Sequence, residues 1–412
     1  MRILWLSHLI PYPPKGGALQ RSYNMVRELA RYHTVDVLAF NQQNLMAPMF
    51  PDMEAALEEA YTALSAYCGK VSFHKLPMDA GRKTRYWMVI KSMFLEPYNI
   101  EWLKSESYAA ELKVWLQESY DLVHFDTISL IPYLHLINSE IPKVLDHHNI
   151  ESHMLLRRAK NEANILKKYY FFQEGKRLEK YERDYGELFD LNIVCSNVDK
   201  KRLEKIIGDF SRVETVPNGV DVEYFKSTKL NNNDKRLIFV GRLTWYPNVE
   251  AVLYIARRLW PQLKKKFPGL QFDIVGANPP AEISNLALKD SAFNVHGFVD
   301  DVRGYIDRAT LYICPIFDGG GTKLKVLDAM AMEKAIVAHP IAYEGIDVTP
   351  GLDAITAASD LEFVERIGEL LNDDCKRALI GRRARTLMES KYSYSNIGLF
   401  QDELYKSLIS CD

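Results

Sequence analysis

Cysteine is scarce in this chain of 412 residues, and its five cysteines have no Cys-X-X-Cys or Cys/His ligand spacing. Because they are odd in number and far apart, they predict neither a disulfide framework nor a zinc site. We interpret them as reduced, mostly buried thiols of a cytoplasmic protein. The five are Cys68, Cys195, Cys314, Cys375 and Cys411.

Long hydrophobic runs and an excess of one charge are also missing. No stretch reaches the roughly 18 uncharged apolar residues that a membrane-spanning helix needs. Residues 1–7 lack a small-residue cleavage site, so they predict a first strand and not a signal peptide. Lys and Arg number 52 against 54 Asp and Glu, so no overall basic charge favours nucleic acid as a partner.

The chain does contain an α/β pattern. Hydrophobic residues make up 47% and charged residues 26%, the balance of an ordinary globular protein. Short β-rich runs alternate with segments of helical period, which predicts a parallel sheet covered by helices. The predicted strands lie at residues 3–7, 34–40, 71–76, 121–125, 142–146, 191–196, 213–216, 236–240, 271–275, 311–314 and 335–338.

A polar stretch at residues 226–234 interrupts this series and predicts a linker. With about 150 residues per domain as a guide, the length favours two or three domains. We expect an α/β protein of two facing Rossmann-like domains, at residues 1–225 and 235–390, with a helix at about 394–412 packing back on the first. Ligands of such sheets bind beyond the carboxyl ends of the strands, so the interdomain cleft is the expected site.

Two glycine-rich turns lead from predicted strands into helices. Gly16 and Gly17 follow the first strand beside Lys15, and three glycines at residues 319–321 follow the strand at 311–314. Glycine amides and a helix N-terminus attract anions, so both turns predict phosphate contacts. For the first pair, the signal is weak, and a tight strand-to-helix turn without a ligand is the alternative.

Charged residues accompany the second domain's turns. Lys325 and Asp328 are three apart and share one helix face, where the lysine would neutralise a phosphate and the carboxylate would bind a vicinal diol such as a ribose. An ion pair between the two is the alternative. Arg242 follows Gly241 at a strand end and suits a diphosphate, unless it pairs with a surface carboxylate.

Histidines mark the first domain. The sequence Asp-His-His-Asn-Ile-Glu at residues 146–151 follows a strand, so it predicts a histidine at the ligand-binding edge of the sheet. His124 lies inside a strand and is predicted to be packed. A metal site through His147, His148 and His153 is not favoured, because their spacing matches no standard ligand set.

Seven motifs follow one another along nearly the whole chain. They are Pro-Tyr-Pro-Pro-Lys-Gly-Gly at 11–17, Asp-His-His-Asn-Ile-Glu at 146–151, Pro-Asn-Gly-Val-Asp at 217–221, Phe-Val-Gly-Arg-Leu at 239–243, His-Gly-Phe-Val-Asp-Asp at 296–301, Gly-Gly-Gly-Thr-Lys-Leu-Lys at 319–325 and Tyr-Glu-Gly-Ile at 343–346. In this order they resemble the retaining glycosyltransferases of family 4 (glycosyl transferases group 1), which have the two-domain GT-B architecture.

The resemblance implies a role for each matched position. As catalytic residues it implies Arg242, Lys325 and His148. On the acceptor side it implies Lys15, Asn149 and Glu151. The donor-binding residues would be Gly16, Gly17, Phe298, Val299, Gly319, Gly320, Gly321, Thr322, Lys323, Asp328, Glu344 and Gly345. No metal or cofactor is required besides the substrate, a UDP- or GDP-linked sugar.

The chain departs from the family pattern at three positions. Asp328 stands where the family usually has the longer glutamate, and Gly320 stands where it often has a second glutamate. Asn248 stands six residues after Arg242, where a lysine is common. Lys325 or Lys323 would supply the missing charge.

The function that the resemblance implies is retaining transfer of a hexosyl group from a nucleotide-diphosphate sugar to a hydroxyl group. The acceptor would be a saccharide or a lipid-linked saccharide, in the synthesis of bacterial cell-surface polysaccharide or glycolipid. Two alternatives remain open. A nucleotide-sugar epimerase would convert the donor with no acceptor present, and a catalytically silent subunit would bind the nucleotide sugar without turnover.

Two segments of the first domain combine basic and large apolar residues. One holds Arg82, Lys83, Arg85 and Lys91 among aromatic and aliphatic residues, and the other runs Lys-Lys-Tyr-Tyr-Phe-Phe at residues 167–172. Such segments suit an anionic membrane, so we expect a cytoplasmic protein with peripheral contact to the inner face of the membrane. The alternative is that the aromatic residues are core and the charges solvate helix surfaces.

Overall fold

The computed structural model describes residues 1–15, 17–43, 50, 52–76, 91–92, 96–208, 211–228, 234–319 and 321–409. The chain divides into two compact units, each with its own sheet. The first unit is Met1–Pro217 with Ile397–Asp412, and the second is Asn218–Asn396. Gly16, Gly320 and the basic segment at residues 82–90 lie outside the described residues.

The first unit contains a seven-stranded sheet in which every strand is parallel to its neighbours. The inner strands are buried on both faces, which is why they appear in the sequence as apolar runs. The strand order is β3-β2-β1-β4-β5-β6-β7. The strands are β1 Arg2–Ser7, β2 Thr34–Asn41, β3 Val71–Lys75, β4 Leu122–Phe125, β5 Lys143–His147, β6 Leu191–Val194 and β7 Val213–Thr215.

Helices connect these strands, and several begin at a polar residue that caps the first turn. The side chains of Asp52, Ser105, Asn164 and Ser196 each accept a hydrogen bond from a backbone N–H two or three residues further on. The helices are Gly17–Leu29, Met53–Ser65, Tyr98–Glu101, Glu106–Trp115, the 3₁₀ helix Ile128–Leu136, Glu151–Asn161, Ile165–Gly186 and Asn197–Ile207.

The second unit contains a six-stranded parallel sheet of order β10-β9-β8-β11-β12-β13. Its strands are β8 Arg236–Val240, β9 Gln271–Val275, β10 Phe293–Gly297, β11 Leu311–Cys314, β12 Ile336–Ala338 and β13 Ile355–Thr356. Its α-helices are Tyr246–Tyr254, Trp260–Lys266, Ala281–Lys289, Arg303–Arg308, Leu324–Ala331, Asp360–Asn372 and Asp374–Leu387. Two π-helical segments, Ile255–Leu259 and Met388–Tyr392, and a 3₁₀ helix, Pro340–Tyr343, complete it.

Both sheets have the Rossmann strand order, in which the third, second and first strands are followed by the fourth, fifth and sixth. The predicted α/β class is therefore confirmed. The order reverses between β1 and β4 in the first unit and between β8 and β11 in the second. Ligands of this fold bind beyond the carboxyl ends of the strands at that reversal, so these two strand-end pairs are where each unit's site is expected.

The last helix, Tyr394–Ile409, contributes its side chains to the first unit. The Tyr405 hydroxyl lies 2.6 Å from Nδ1 of the buried His124, whose ring stacks on Trp5 with centroids 3.6 Å apart. Asp402 lies 2.6 Å from Nε2 of His33. His124 is thus a packed residue, as predicted.

The described helices include none that is both long and apolar enough to cross a membrane.

Candidate functional site

A buried carboxylate lies where β1 and β4 end in the first unit. Asp126 directly follows β4, and its oxygens accept hydrogen bonds from the hydroxyl groups of Ser7 at 3.0 Å and Ser22 at 3.1 Å. The ring of His8 lies 3.0 Å from the same carboxylate through Nδ1, and the ring of His148 lies 2.8 Å from it through Nε2. The structure therefore centres this site on Asp126.

The electrostatics of Asp126 and His148 depend on each other. Burial alone would raise the pKa of Asp126, but the rings of His148 and His8 hold it well below its usual value. Burial alone would lower the pKa of His148, but the Asp126 carboxylate raises it above the ordinary value for histidine. The arrangement favours an ionised carboxylate beside an imidazolium whose ring is 15% exposed.

His8, Asp126 and His148 also bring two ring nitrogens and a carboxylate oxygen within 4.8 Å of one another. Divalent transition metals accept this set of ligands. In the structure these atoms are hydrogen-bonded to one another, and two hydroxyl groups share the carboxylate. His147 lies in β5 and its Nε2 is 3.1 Å from the side-chain oxygen of Asn192, away from such a set.

A second buried pair holds the strand that leads to His148. Arg21, in the helix after the first glycine turn, donates to Asp146 of β5 at 3.0 Å, and both side chains are 1% exposed. The same guanidinium donates to the carbonyl groups of Val216 and Pro217, each at 3.1 Å. The pair therefore fixes the first helix to β5 and to the segment after β7.

The predicted acceptor-side residues follow β1 and β5 in the sequence. Lys15 is exposed, and Gly17 opens the first helix with a φ of +46°, a value that favours glycine. Asn149 is half-buried. Glu151 accepts a hydrogen bond from the Asn99 side chain, and burial raises the pKa of its carboxyl group.

In the second unit, the turn after β8 carries Gly241 and Arg242. The Arg242 side chain is exposed and forms no hydrogen bond or ion pair with any residue that the structure describes. The predicted alternative, a surface carboxylate as its partner, is therefore not found in that part of the chain. The guanidinium is available to an anionic ligand.

Asn248 joins this turn to the helix after the glycine loop. Its amide group donates to the Arg242 carbonyl at 2.8 Å, and its side-chain oxygen accepts a hydrogen bond from Nζ of Lys325. The ammonium also lies 4.8 Å from the centre of the Phe239 ring. Within the described residues, Lys325 pairs with Asn248 and not with Asp328.

The environment of Lys325 lowers the pKa of its ammonium group. Burial is the main cause that lowers its pKa to about 8, and the nearby charge of Lys323 acts in the same direction. A β-carbon at Gly241 would lie 2.6 Å from its Nζ, so a larger residue there would displace the ammonium. A buried cation at a strand end is a frequent feature of functional sites.

Lys323 forms hydrogen bonds to the backbone of the glycine loop that precedes it. Nζ of Lys323 donates to the carbonyl groups of Gly319 at 2.9 Å and Gly321 at 2.6 Å. These glycines have φ values of +113° and +68°, in the region that disfavours other residues. Lys323 therefore shapes the loop, while the Thr322 hydroxyl is buried without a hydrogen bond to a described residue.

The loop after β10 contains exposed aromatic and charged groups. Phe298 is 41% exposed, and Val299 is half-buried. Arg303 pairs with Asp301 at 2.7 Å and lies 3.9 Å from the centre of the Tyr224 ring. Burial raises the pKa of Tyr224, and the negative charges of Asp301 and Asp328 act in the same direction.

The remaining predicted donor residues follow the 3₁₀ helix Pro340–Tyr343. Glu344 is half-buried, and Gly345 has a φ of +83°, so the turn requires glycine. By contrast, His296 of the His-Gly motif has a structural partner. Its Nε2 lies 2.8 Å from the buried Asp273 carboxylate.

Sequence reasoning missed the residues that hold His148. Ser7, His8 and Asp126 directly end or follow β1 and β4, so the rule used for the other strand ends would have found them. Ser22 and Arg21 gave no such signal, because their partners Asp126 and Asp146 are 104 and 125 residues away.

Solved structures of other proteins share the fold of this chain. Sucrose-phosphate synthase from Thermosynechococcus elongatus matches with a TM-score of 0.72 at 16% identity and covers 100% of both chains. HepE of Anabaena, solved with UDP and glucose, matches with a TM-score of 0.64 at 15% identity over 99% of this chain and 100% of that one. These similarities show the GT-B glycosyltransferase fold.

Family comparison gives the particular assignment. The model of Glycosyltransferase Family 4 matches residues 15–224, just over half of the chain, and that of glycosyl transferases group 1 matches residues 234–373. The chain therefore belongs to Glycosyltransferase Family 4 and is a glycosyltransferase.

Two curated relatives are similar to it. An uncharacterised 44.6 kDa protein of a cps region in Klebsiella pneumoniae is 26% identical over 276 residues, which are 64% of this chain and 68% of that protein. An uncharacterised glycosyltransferase of Methanocaldococcus jannaschii is 26% identical over 252 residues, 56% of this chain and 62% of that protein. The chain thus spans less than two thirds of the second relative.

Proposed function

We propose that this glycosyltransferase moves a hexosyl group from a UDP- or GDP-linked sugar to a hydroxyl group of a saccharide or lipid-linked acceptor, with retention at the anomeric carbon. The bond between the anomeric carbon and the diphosphate oxygen breaks, and a bond to the acceptor oxygen forms. The acceptor hydroxyl loses its proton, and the nucleoside diphosphate leaves as an anion. The enzyme must therefore stabilise negative charge on the diphosphate.

The observation that carries the proposal is the position of Lys325. Asn248 holds its ammonium at the turn that also carries the exposed Arg242, at the strand end where the order of the second sheet reverses. Two cations at this point suit the two phosphates of a nucleoside diphosphate. HepE, which shares the fold, has been solved with UDP and with UDP-glucose, which supports a nucleotide sugar as the donor.

The other residues of the second unit would bind the rest of the donor. The loop that Lys323 shapes would offer backbone amides to the phosphates, with Gly319, Gly321 and Thr322. Asp328 would accept hydrogen bonds from the ribose diol, and Phe298 and Val299 would lie against the base. Glu344 and Gly345 would contact the sugar. Because these cations and amides already oppose the diphosphate charge, no divalent ion is needed.

The first unit would serve the acceptor and the transferred sugar. His148, held as an imidazolium by Asp126, would hydrogen-bond a sugar hydroxyl group. Lys15, Asn149 and Glu151 would bind the acceptor. The saccharide product would belong to a bacterial surface polysaccharide or glycolipid, a role that the relative from a cps region supports.

Calorimetric titration with UDP, GDP and their sugars tests the donor class, and metal chelation tests the absence of a divalent ion. Binding of a nucleoside diphosphate that survives chelation, and that Arg242→Ala weakens, is expected. NMR of the product formed with a matching acceptor then reports the anomeric configuration. Conversion of the donor sugar without an acceptor would instead indicate an epimerase, and tight binding without any turnover would indicate a silent subunit.

A further inference from the structure

Two antiparallel helices of the first unit form a hairpin with an exposed apolar tip. The helices Glu151–Asn161 and Ile165–Gly186 pack closely, because Gly175 faces Leu156, and a β-carbon at Gly175 would lie 2.9 Å from the leucine Cγ. Asn164 caps the second helix by accepting from the Lys167 N–H at 3.1 Å. The turn between the helices is therefore well defined.

One face of the second helix shows large apolar side chains to solvent. Ile165 is 80% exposed, Leu166 82%, Tyr169 64% and Phe172 51%. Their spacing along the chain places them on one helix face. We name these four residues the apolar tip. Large apolar groups concentrated in this way on a surface mark an interaction site.

The opposite face of the same helix is the one that packs into the first unit, so the apolar tip is not the core-facing side of the helix. Glu174, Gly175 and Leu178 are buried there. The Phe171 ring, half-buried, packs under the guanidinium of Arg158 at 4.2 Å. The helix thus already has its packing partners, and the tip is additional apolar surface.

Positive charge surrounds the apolar tip. Residues 157–173 contain five Lys and Arg but only one acidic residue, Glu162, whereas the whole chain has a net charge of −2. The exposed cations are Arg158, Lys160, Lys167 and Lys168. Such a surface matches a layer that is apolar inside and anionic outside, which is the chemistry of an anionic lipid bilayer.

We propose that the apolar tip inserts into the surface of an anionic membrane, with the surrounding lysine and arginine side chains on the phosphate headgroups. The docking does not depend on the proposed glycosyl transfer. It would hold the first unit at a bilayer and favour acceptors displayed there. Of the other predicted basic segment, the structure describes Lys91, whose ammonium pairs with the buried Glu101 carboxylate at 2.8 Å.

Flotation with vesicles tests this docking. Wild-type protein is mixed with phosphatidylcholine vesicles that contain or lack phosphatidylglycerol, with no saccharide lipid present. Flotation with the anionic vesicles, its decrease with added salt, and none with pure phosphatidylcholine are expected. Wild-type protein that stays in the bottom fraction with anionic vesicles at low salt overturns the proposal.

Matched variants distinguish insertion of the apolar tip from non-specific hydrophobic adsorption and from general electrostatic attraction. Leu166→Ser with Phe172→Ser should lose most of the bound fraction, whereas Val114→Ser with Leu188→Ser, at other exposed apolar positions of the same unit, should keep it. Lys167→Glu with Lys168→Glu should lose binding, whereas Lys176→Glu with Lys180→Glu, roughly 13 to 18 Å further along the same helix, should lose far less. Equal loss in both members of a pair contradicts the proposal.

Two further measurements keep the result unambiguous. Unchanged melting temperatures are expected for the variants, since all these side chains are exposed. Light scattering after size exclusion reports whether the tip instead joins two copies of the chain, and a dimer that Leu166→Ser abolishes would overturn membrane docking. Transfer activity toward a water-soluble acceptor, measured separately, tests the proposed function and not the docking.

Discussion

The side chain of Asn248 links Lys325 to the turn after β8, accepting from the lysine ammonium and donating to the Arg242 carbonyl. Where the family commonly has a lysine, this chain has an amide that holds a lysine from another helix. Of the two lysines that the sequence offers as substitutes, Lys323 is bound to the loop carbonyls, and Lys325 lies at the turn. A lysine ammonium therefore lies beside Asn248, although position 248 itself carries an amide.

This arrangement predicts unequal effects for lysines of the second unit. Lys325→Ala and Arg242→Ala should each lower kcat/KM by roughly a hundredfold or more, since each removes one positive charge that is proposed to stabilise the leaving diphosphate. Lys289→Ala, an exposed lysine at the end of the helix Ala281–Lys289, is the control and should remain near wild type. Steady-state kinetics, measured with the donor that the titrations identify, give kcat/KM for each variant. Near-normal rates in both site variants would remove the diphosphate role.

A conservative change at Asn248 tests the linking role itself. Asn248→Ala should reduce kcat/KM less than Lys325→Ala does, because the ammonium remains but is no longer held. Adding Asn248→Ala to Lys325→Ala should then cost little more, since the two side chains act as one unit. A double mutant whose losses simply add would show that Asn248 and Lys325 act independently.

The pH dependence follows from the lowered pKa of Lys325. As the pH rises through about 8, its ammonium loses the proton, so kcat/KM should fall. A bound diphosphate favours the charged form, so the corresponding fall in kcat should lie at higher pH. Lys325→Arg should shift or remove the fall, because arginine stays charged. A wild-type profile that is flat through pH 8 would contradict this assignment.

The same group affects folding in the opposite direction. The ordinary lysine pKa is 10.5, so between about 8 and 10.5 the unfolded chain holds more protons at this position than the folded protein. The contribution of Lys325 to the free energy of unfolding therefore rises with pH in this window. Denaturant titrations of wild type and Lys325→Met across the window isolate it, and Lys325→Met should lack this rise.

Asp328 is predicted to bind the nucleotide and not to hold the fold. Asp328→Asn should weaken nucleotide binding by about 1–3 kcal/mol, the scale of a lost charge-assisted hydrogen bond. Calorimetry gives the affinity, and thermal unfolding without ligand should be unchanged. If affinity stays at the wild-type value, Asp328 serves its structural neighbours, among them Tyr224.

The charge on His148 is predicted to depend on Asp126. In Asp126→Asn the pKa of His148 should fall, because the carboxylate that raises it is gone while burial still lowers it. NMR titration of the ring protons measures this shift. His339 of the second unit, whose pKa is lowered by burial, is the internal control and should be unaffected by this variant. An unchanged pKa of His148 would show that the Asp126 carboxylate does not stabilise the imidazolium.

Much of the fold could be predicted from the sequence, because buried parallel strands appear as short apolar runs. β10 and β13 were missed for local reasons. Phe293–Gly297 mixes Asn294 and His296 into its run, and Ile355–Thr356 has two residues. The family motifs gave the candidate site residues, but the pairs that hold them join distant positions, such as Asn248 and Lys325, which are 77 apart. Hydrophobic periodicity reports only local structure, so it cannot identify pairs of residues that are distant in the sequence.

The path of the chain has a consequence for biosynthesis. The first unit is interrupted, since its last helix follows Asn218–Asn396 in the sequence. During translation, the seven strands of the first sheet leave the ribosome long before Asp402 and Tyr405, the partners of His33 and His124. The first unit therefore needs residues that are synthesised after the second unit, and a chain that stops after Asn396 should leave the first unit unfinished while the second is intact.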